Sequence, residues 1–96
     1  MNEVSIMFSR LDAKLKVIDL KIWYAKLLRK RSDPDERMRG TDLLNEALDI
    51  CKDISYELKS LPEYDPKVYG DYTKGVGKRL IKIHDLLDKS WVGGVN

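Results

Sequence analysis

Glutamine is absent from this 96-residue chain, and cysteine, histidine and phenylalanine occur once each. The single Cys51 excludes an internal disulfide; set in an apolar helical pattern, it reads as a buried free thiol in a reducing compartment. His84 and Asp88 could supply two metal ligands, but two without a third make no site, so neither a metal nor a cofactor is expected. Apolar runs reach only four residues, as in Ile22-Trp23-Tyr24-Ala25, far short of a membrane span. The start, MNEVSIMFSRLDAK, lacks a basic stretch followed by an apolar block, so no secretory signal is read and a cytoplasmic protein is expected. Absent Gln, three Asn and two Thr, beside 35% charged residues, match the thermophile trend away from thermolabile amides. The length allows one domain, over 1–96, with a surface of ~5,700 Å² when folded.

Two proline signals divide the chain. In Ser32-Asp33-Pro34-Asp35-Glu36, Asp33 can cap a helix with Pro34 as its first residue and Glu36 as reciprocal capping partner. Leu61-Pro62 stops one helix, and Asp65-Pro66 repeats the start signal. The spacing predicts helices over 3–31, 34–61 and 66–91, each about 40 Å long, with a flexible tail at 92–96.

In the first segment Val4, Phe8, Leu11, Leu15, Ile18, Ile22 and Ala25 step by four and three, the spacing of a heptad seam. A second row, Val17, Leu20, Tyr24 and Leu27, faces elsewhere, with Trp23 beside it among charged residues. The second segment places Leu43, Leu44, Ala47, Ile50, Cys51, Ile54, Leu58 and Leu61 on one broad face, which no strand could satisfy. The third carries Tyr69, Tyr72, Val76, Leu80, Ile83, Leu87 and Trp91, interrupted by Gly70, Gly75 and Gly77. The fold class is therefore all-α: three long antiparallel helices, the third broken near Gly75–Gly77, completed by dimerisation.

A net charge of +2 conceals a division by segment. Residues 1–31 hold eight basic and three acidic residues, 32–65 four and ten, and 66–96 six and three. On the second segment Asp42, Glu46, Asp49, Asp53 and Glu57 form one carboxylate ridge, expected to lie beside bases of the outer helices.

Thr73-Lys74-Gly75-Val76-Gly77-Lys78-Arg79-Leu80-Ile81 resembles the hairpin and second helix of the helix-hairpin-helix DNA-binding motif. That resemblance implies a turn at Gly75, Val76 and Gly77 whose N–H groups meet phosphate, with Lys78 and Arg79 nearby. The same string evokes a phosphate-binding P-loop but has Tyr72 and Arg79 where that loop needs Gly and Ser or Thr, which excludes nucleotide hydrolysis. Arg79 and His84, five apart, resemble the signature of HEPN-type ribonucleases, implying charge stabilisation by Arg79 and proton transfer by His84. The helical chorismate mutases are excluded, because the first helix is too short for their spaced basic residues and Gln is absent.

The expectation is a non-enzymatic helical bundle that binds macromolecules as a homodimer, through Val17, Leu20, Trp23, Tyr24 and Leu27, with a further protein partner. The alternative is nucleic-acid backbone binding through Gly75, Gly77, Lys74, Lys78, Arg79 and Lys82, with Arg29, Lys30 and Arg31 completing the basic footprint. The third class is ribonuclease chemistry by Arg79 and His84.

Overall fold

The computed structural model describes the backbone of residues 3–61 and 65–95 and the side chains of 6–61, 65–67 and 69–88. Within these residues the chain forms α1 (Glu3–Arg29), α2 (Pro34–Lys59) and α3 (Pro66–Val95), running up, down and up. Val4, Pro62 and Trp91, named from the sequence, have side chains outside the described set.

Both Asp-Pro starts form. Asp33 Oδ1 accepts from the Asp35 N–H at 2.9 Å, and Asp65 Oδ1 accepts from the Lys67 N–H at 2.9 Å. Glu36 does not complete a capping box among the described residues; its carboxylate lies 3.8 Å from Arg31 instead. Ser60 closes α2 with its N–H donating to Tyr56.

The first heptad row of α1 is its inner face: Leu11, Ile18, Ile22 and Ala25 are buried, with Phe8 and Leu15 packed at the edge. Leu28 joins them. From α2, Leu43, Leu44, Ala47, Cys51, Ile54 and Leu58 fill the centre, and α3 adds Tyr69, Val76 and Ile83. Each Leu, Ile or Val among them contributes roughly 1.5–3 kcal/mol when fully buried. Phe8 stacks on Tyr72 at 5.4 Å and meets Tyr69 at 5.6 Å, plugging one end. The Tyr72 hydroxyl donates to Asp12 at 3.1 Å.

The expected break in α3 is corrected. The helix passes through Gly75 and Gly77 without interruption, and no described glycine has positive φ. Tyr69, Val76 and Ile83, seven residues apart, anchor one face in the core. That burial outweighs the ~1 kcal/mol each helical glycine costs relative to alanine. The helix also runs to Val95, past the expected end at 91, so the segment expected as a tail is helical through Val95.

Where α1 and α2 meet near the first loop, Gly40 is buried. A Cβ there would lie 2.7 Å from Arg29 Cγ and 3.0 Å from the Ala25 carbonyl oxygen. Glycine is what lets the two backbones approach so closely.

The bundle measures 50 × 22 × 16 Å with a radius of gyration of 15.5 Å, against about 12.5 Å for a typical domain of this length. Its surface of 6935 Å² exceeds by about a fifth the ~5,700 Å² expected from mass. A slender bundle leaves more of itself in contact with solvent.

Candidate interaction surface

The row Val17, Leu20, Tyr24 and Leu27 lies on the outer side of α1, away from α2 and α3. Val17 is 41% exposed, Leu20 65%, Tyr24 49% and Leu27 42%, and Trp23 beside them is 61% exposed. All five residues expected from the sequence thus share one solvent-facing strip. Two further members appear with the structure. Exposed Ala13 precedes Val17 by four, and Ile6, 47% exposed, precedes Ala13 by seven. The outer row 6, 13, 17, 20, 24, 27 therefore has the period of a second heptad seam. Arg10 and Arg31 stand at the same register where the row would continue, each 3.8 Å from a carboxylate, Glu57 and Glu36 respectively.

The strip has two unlike rims. On the α2 side, Glu57 is paired with Lys14 and Arg10, and Glu46 accepts from Lys21 at 2.8 Å and Arg39 at 3.1 Å. Two members of the expected ridge, Glu57 and Glu46, thus meet bases of α1. Hydrogen bonding from Lys21, reinforced by the charges of Lys21 and Arg39, holds the Glu46 carboxyl below its ordinary pKa. Asp42, Asp49 and Asp53 are exposed and pair with no base among the described residues. This rim is acidic.

On the α3 side, Asp19 accepts from Arg79 Nε at 2.8 Å and from Nη2 at 2.9 Å, while Arg79 Nη1 donates to the Gly75 carbonyl at 3.0 Å. Beyond that pair Lys16 and Lys30 of α1 and Lys78 and Lys82 of α3 are exposed, making a predominantly basic rim.

The nucleic-acid set divides accordingly. Gly75 and Gly77 sit within a helix, where their N–H groups are directed along its axis, so the expected phosphate-binding turn is absent. Arg79 is committed to Asp19 and Gly75. Lys74, Lys78 and Lys82, spaced by four, form an exposed ridge on α3. Lys30 and Arg31 are exposed at the end of α1, and Asp19 lies level with Arg79. The two groups are thereby roughly 16 Å apart along the bundle. Arg29 is different: its stem packs over Gly40, its Nη1 is buried without a hydrogen-bond partner among the described residues, and burial lowers its pKa.

Arg79 and His84 do not converge. Five residues separate them by about 140° around the helix axis, and Arg79 turns to α1 while His84 is exposed. Among the described residues no three His, Cys, Asp or Glu side chains cluster as metal ligands. No described helix is long and apolar enough to cross a membrane.

A cleft of about 370 Å³ opens between α2 and α3, lined by Ser55, Leu58, Lys59, Thr73 and Val76. Gly70 and Gly77 fall near Thr73 on the same side of α3, and a Cβ at either would meet nothing within 4 Å.

No protein-family model matches the chain, and neither the curated proteins nor the solved structures include a significant match to it.

Proposed function

We propose that the protein is a non-enzymatic helical bundle acting by macromolecular binding, assembled as a homodimer through the outer seam of α1. The observation that carries this reading is the continuous exposed row from Ala13 to Leu27 with Trp23. Helices of globular proteins normally confine apolar residues to one face, and an apolar patch of this extent marks an interaction site. The elongated bundle and its surplus surface point the same way. Cys51, fully buried in the core, suits a reducing compartment, and we read the protein as cytoplasmic.

Sedimentation at tens of micromolar protein tests the proposal. A dimer is expected for the native chain and a folded monomer for Leu20→Asp with Leu27→Asp. A native monomer at that concentration overturns it.

The ridge Lys74, Lys78 and Lys82 favours a second reading, sequence-independent binding of a nucleic-acid backbone by a helix surface rather than a glycine turn. Such binding weakens steeply with salt. Unchanged duplex affinity after Lys74→Glu with Lys78→Glu eliminates it.

A further inference from the structure

We propose that the two copies pair in parallel, about a two-fold axis running along the helices, so that the acidic rim of each lies against the basic rim of the other. This rests on the self-association reading and adds the orientation.

Face-to-face pairing of α1 with its equivalent has two symmetric forms. With the axis across the helices, α1 meets α1 antiparallel and each rim meets its own copy: Asp49 and Asp53 face Asp49 and Asp53, and lysines face lysines. With the axis along the helices the copies are parallel and each rim meets the opposite one. Like-charge juxtaposition is unfavourable and opposite charge favourable, so charge selects the parallel form.

Height along the bundle agrees. Glu57 lies beside Lys14 and Glu46 beside Lys21, which places Asp53 and Asp49 between those levels. Arg79 lies beside Asp19, so Lys78 and Lys16 occupy the same interval. A parallel two-fold preserves height and brings Asp53 and Asp49 opposite Lys16 and Lys78 of the second copy. Between the levels of Lys14 and Lys21, which pair with Glu57 and Glu46, the aspartates define that rim; Arg10 and Arg39 share the same two carboxylates nearer the ends of the bundle.

The seam residues fit as well. Val17 and Tyr24 take one set of heptad positions, and Ala13, Leu20 and Leu27 the other. Val17 with Leu20 follows the order that suits two parallel strands, while Tyr24, Arg10 and Arg31 at the positions equivalent to Val17 depart from it. The exposed parts of Ile6, Val17, Leu20, Trp23, Tyr24 and Leu27 amount to on the order of 600–700 Å², near the ~800 Å² per partner of a stable complex.

Cysteine cross-linking decides the orientation. Ala13→Cys and Leu27→Cys are made separately, with native Cys51 left in the core, and each is oxidised alone and as a mixture. The parallel dimer predicts that each variant alone forms a disulfide-linked pair, since equivalent positions face each other at every level. In an antiparallel dimer centred on Leu20, residue 13 faces residue 27 and like positions are about 21 Å apart, so cross-linking only in the mixture overturns the proposal. A dimer by sedimentation with no cross-link in either setting also overturns it, by placing the interface elsewhere. A native monomer defeats the self-association reading itself. As an independent readout, Asp49→Lys with Asp53→Lys weakens dimerisation roughly tenfold, and adding Lys16→Glu with Lys78→Glu restores it. Failure of that restoration counts against the parallel form even where the cysteine variants fold poorly.

Discussion

Arg79 grips Asp19 with two hydrogen bonds of 2.8 and 2.9 Å, one to each carboxylate oxygen, fastening the middle of α3 to the middle of α1 across 60 residues of sequence. The carboxylate raises the Arg79 pKa, chiefly through these hydrogen bonds. A bidentate charge-assisted pair of this kind is stronger than a single surface contact. Arg79→Ala is expected to cost about 1–3 kcal/mol in denaturant unfolding, and a cycle with Asp19→Asn to give a coupling of about 1 kcal/mol. His84→Ala should change stability by less than ~0.5 kcal/mol. A HEPN-type role for this pair predicts that His84→Ala abolishes RNA cleavage; undiminished cleavage by that variant, or none by the native protein, eliminates it.

One substitution made at two glycines should act in opposite directions. Gly40→Ala forces a methyl into Arg29 and the Ala25 carbonyl oxygen, and overpacking of about 1–3 kcal/mol exceeds the ~1 kcal/mol gained in helix propensity. Gly77→Ala meets open space and should stabilise by about 0.5–1 kcal/mol. Thermal melts of the two variants give the comparison. A Gly77→Ala protein that melts lower would indicate a turn at that position in place of the helix.

Acid should loosen the contact between α1 and α2. Glu46 has a lower pKa folded than unfolded, so its stabilising contribution is complete above the ordinary value of 4.5 and is lost as pH falls through the lowered folded value. Stability measured by urea unfolding from pH 7 downward should therefore decline in that window. Glu46→Gln should flatten that part of the decline; an identical profile would show that Lys21 and Arg39 do not act through this carboxylate.

Burial raises the Cys51 thiol pKa, the largest influence there, with Arg79 opposing and Asp19 adding to it. Its labelling by a disulfide reagent at pH 8 should be about a hundredfold slower or more than in the unfolded chain. Urea should accelerate labelling in step with loss of helicity. Rapid native labelling would show that the core opens locally around α2.

Much of this architecture was legible from spacing. The inner row of α1, the apolar face of α2 and both Asp-Pro caps depend on local periodicity and backbone chemistry, which a sequence displays directly. The exposed strip was visible too, as a second row with no neighbour to cover it. What stayed hidden depended on contacts between distant residues. Gly75 and Gly77 carry the local signature of a break, but Tyr69, Val76 and Ile83 hold α3 straight from the core side. Arg79 reads as a free phosphate ligand until Asp19 is placed beside it. Gly40 gave no local signal, because its value lies in the approach of α1, which sequence spacing alone does not locate.

The two apolar sides of α1 pose a rotational choice during folding. Turning the helix by half a revolution would offer α2 a surface of similar greasiness, so hydrophobic burial alone discriminates poorly between the two placements. The polar flanks decide it: Lys14 and Lys21 reach Glu57 and Glu46, and Asp12 and Asp19 reach Tyr72 and Arg79, only with the present side inward. Ala25 over Gly40 reinforces that setting, since the bulkier Tyr24 or Leu27 could not enter so narrow a gap. The polar contacts on the two flanks of α1 thereby serve as an index mark, choosing which seam becomes core and which is left for a partner.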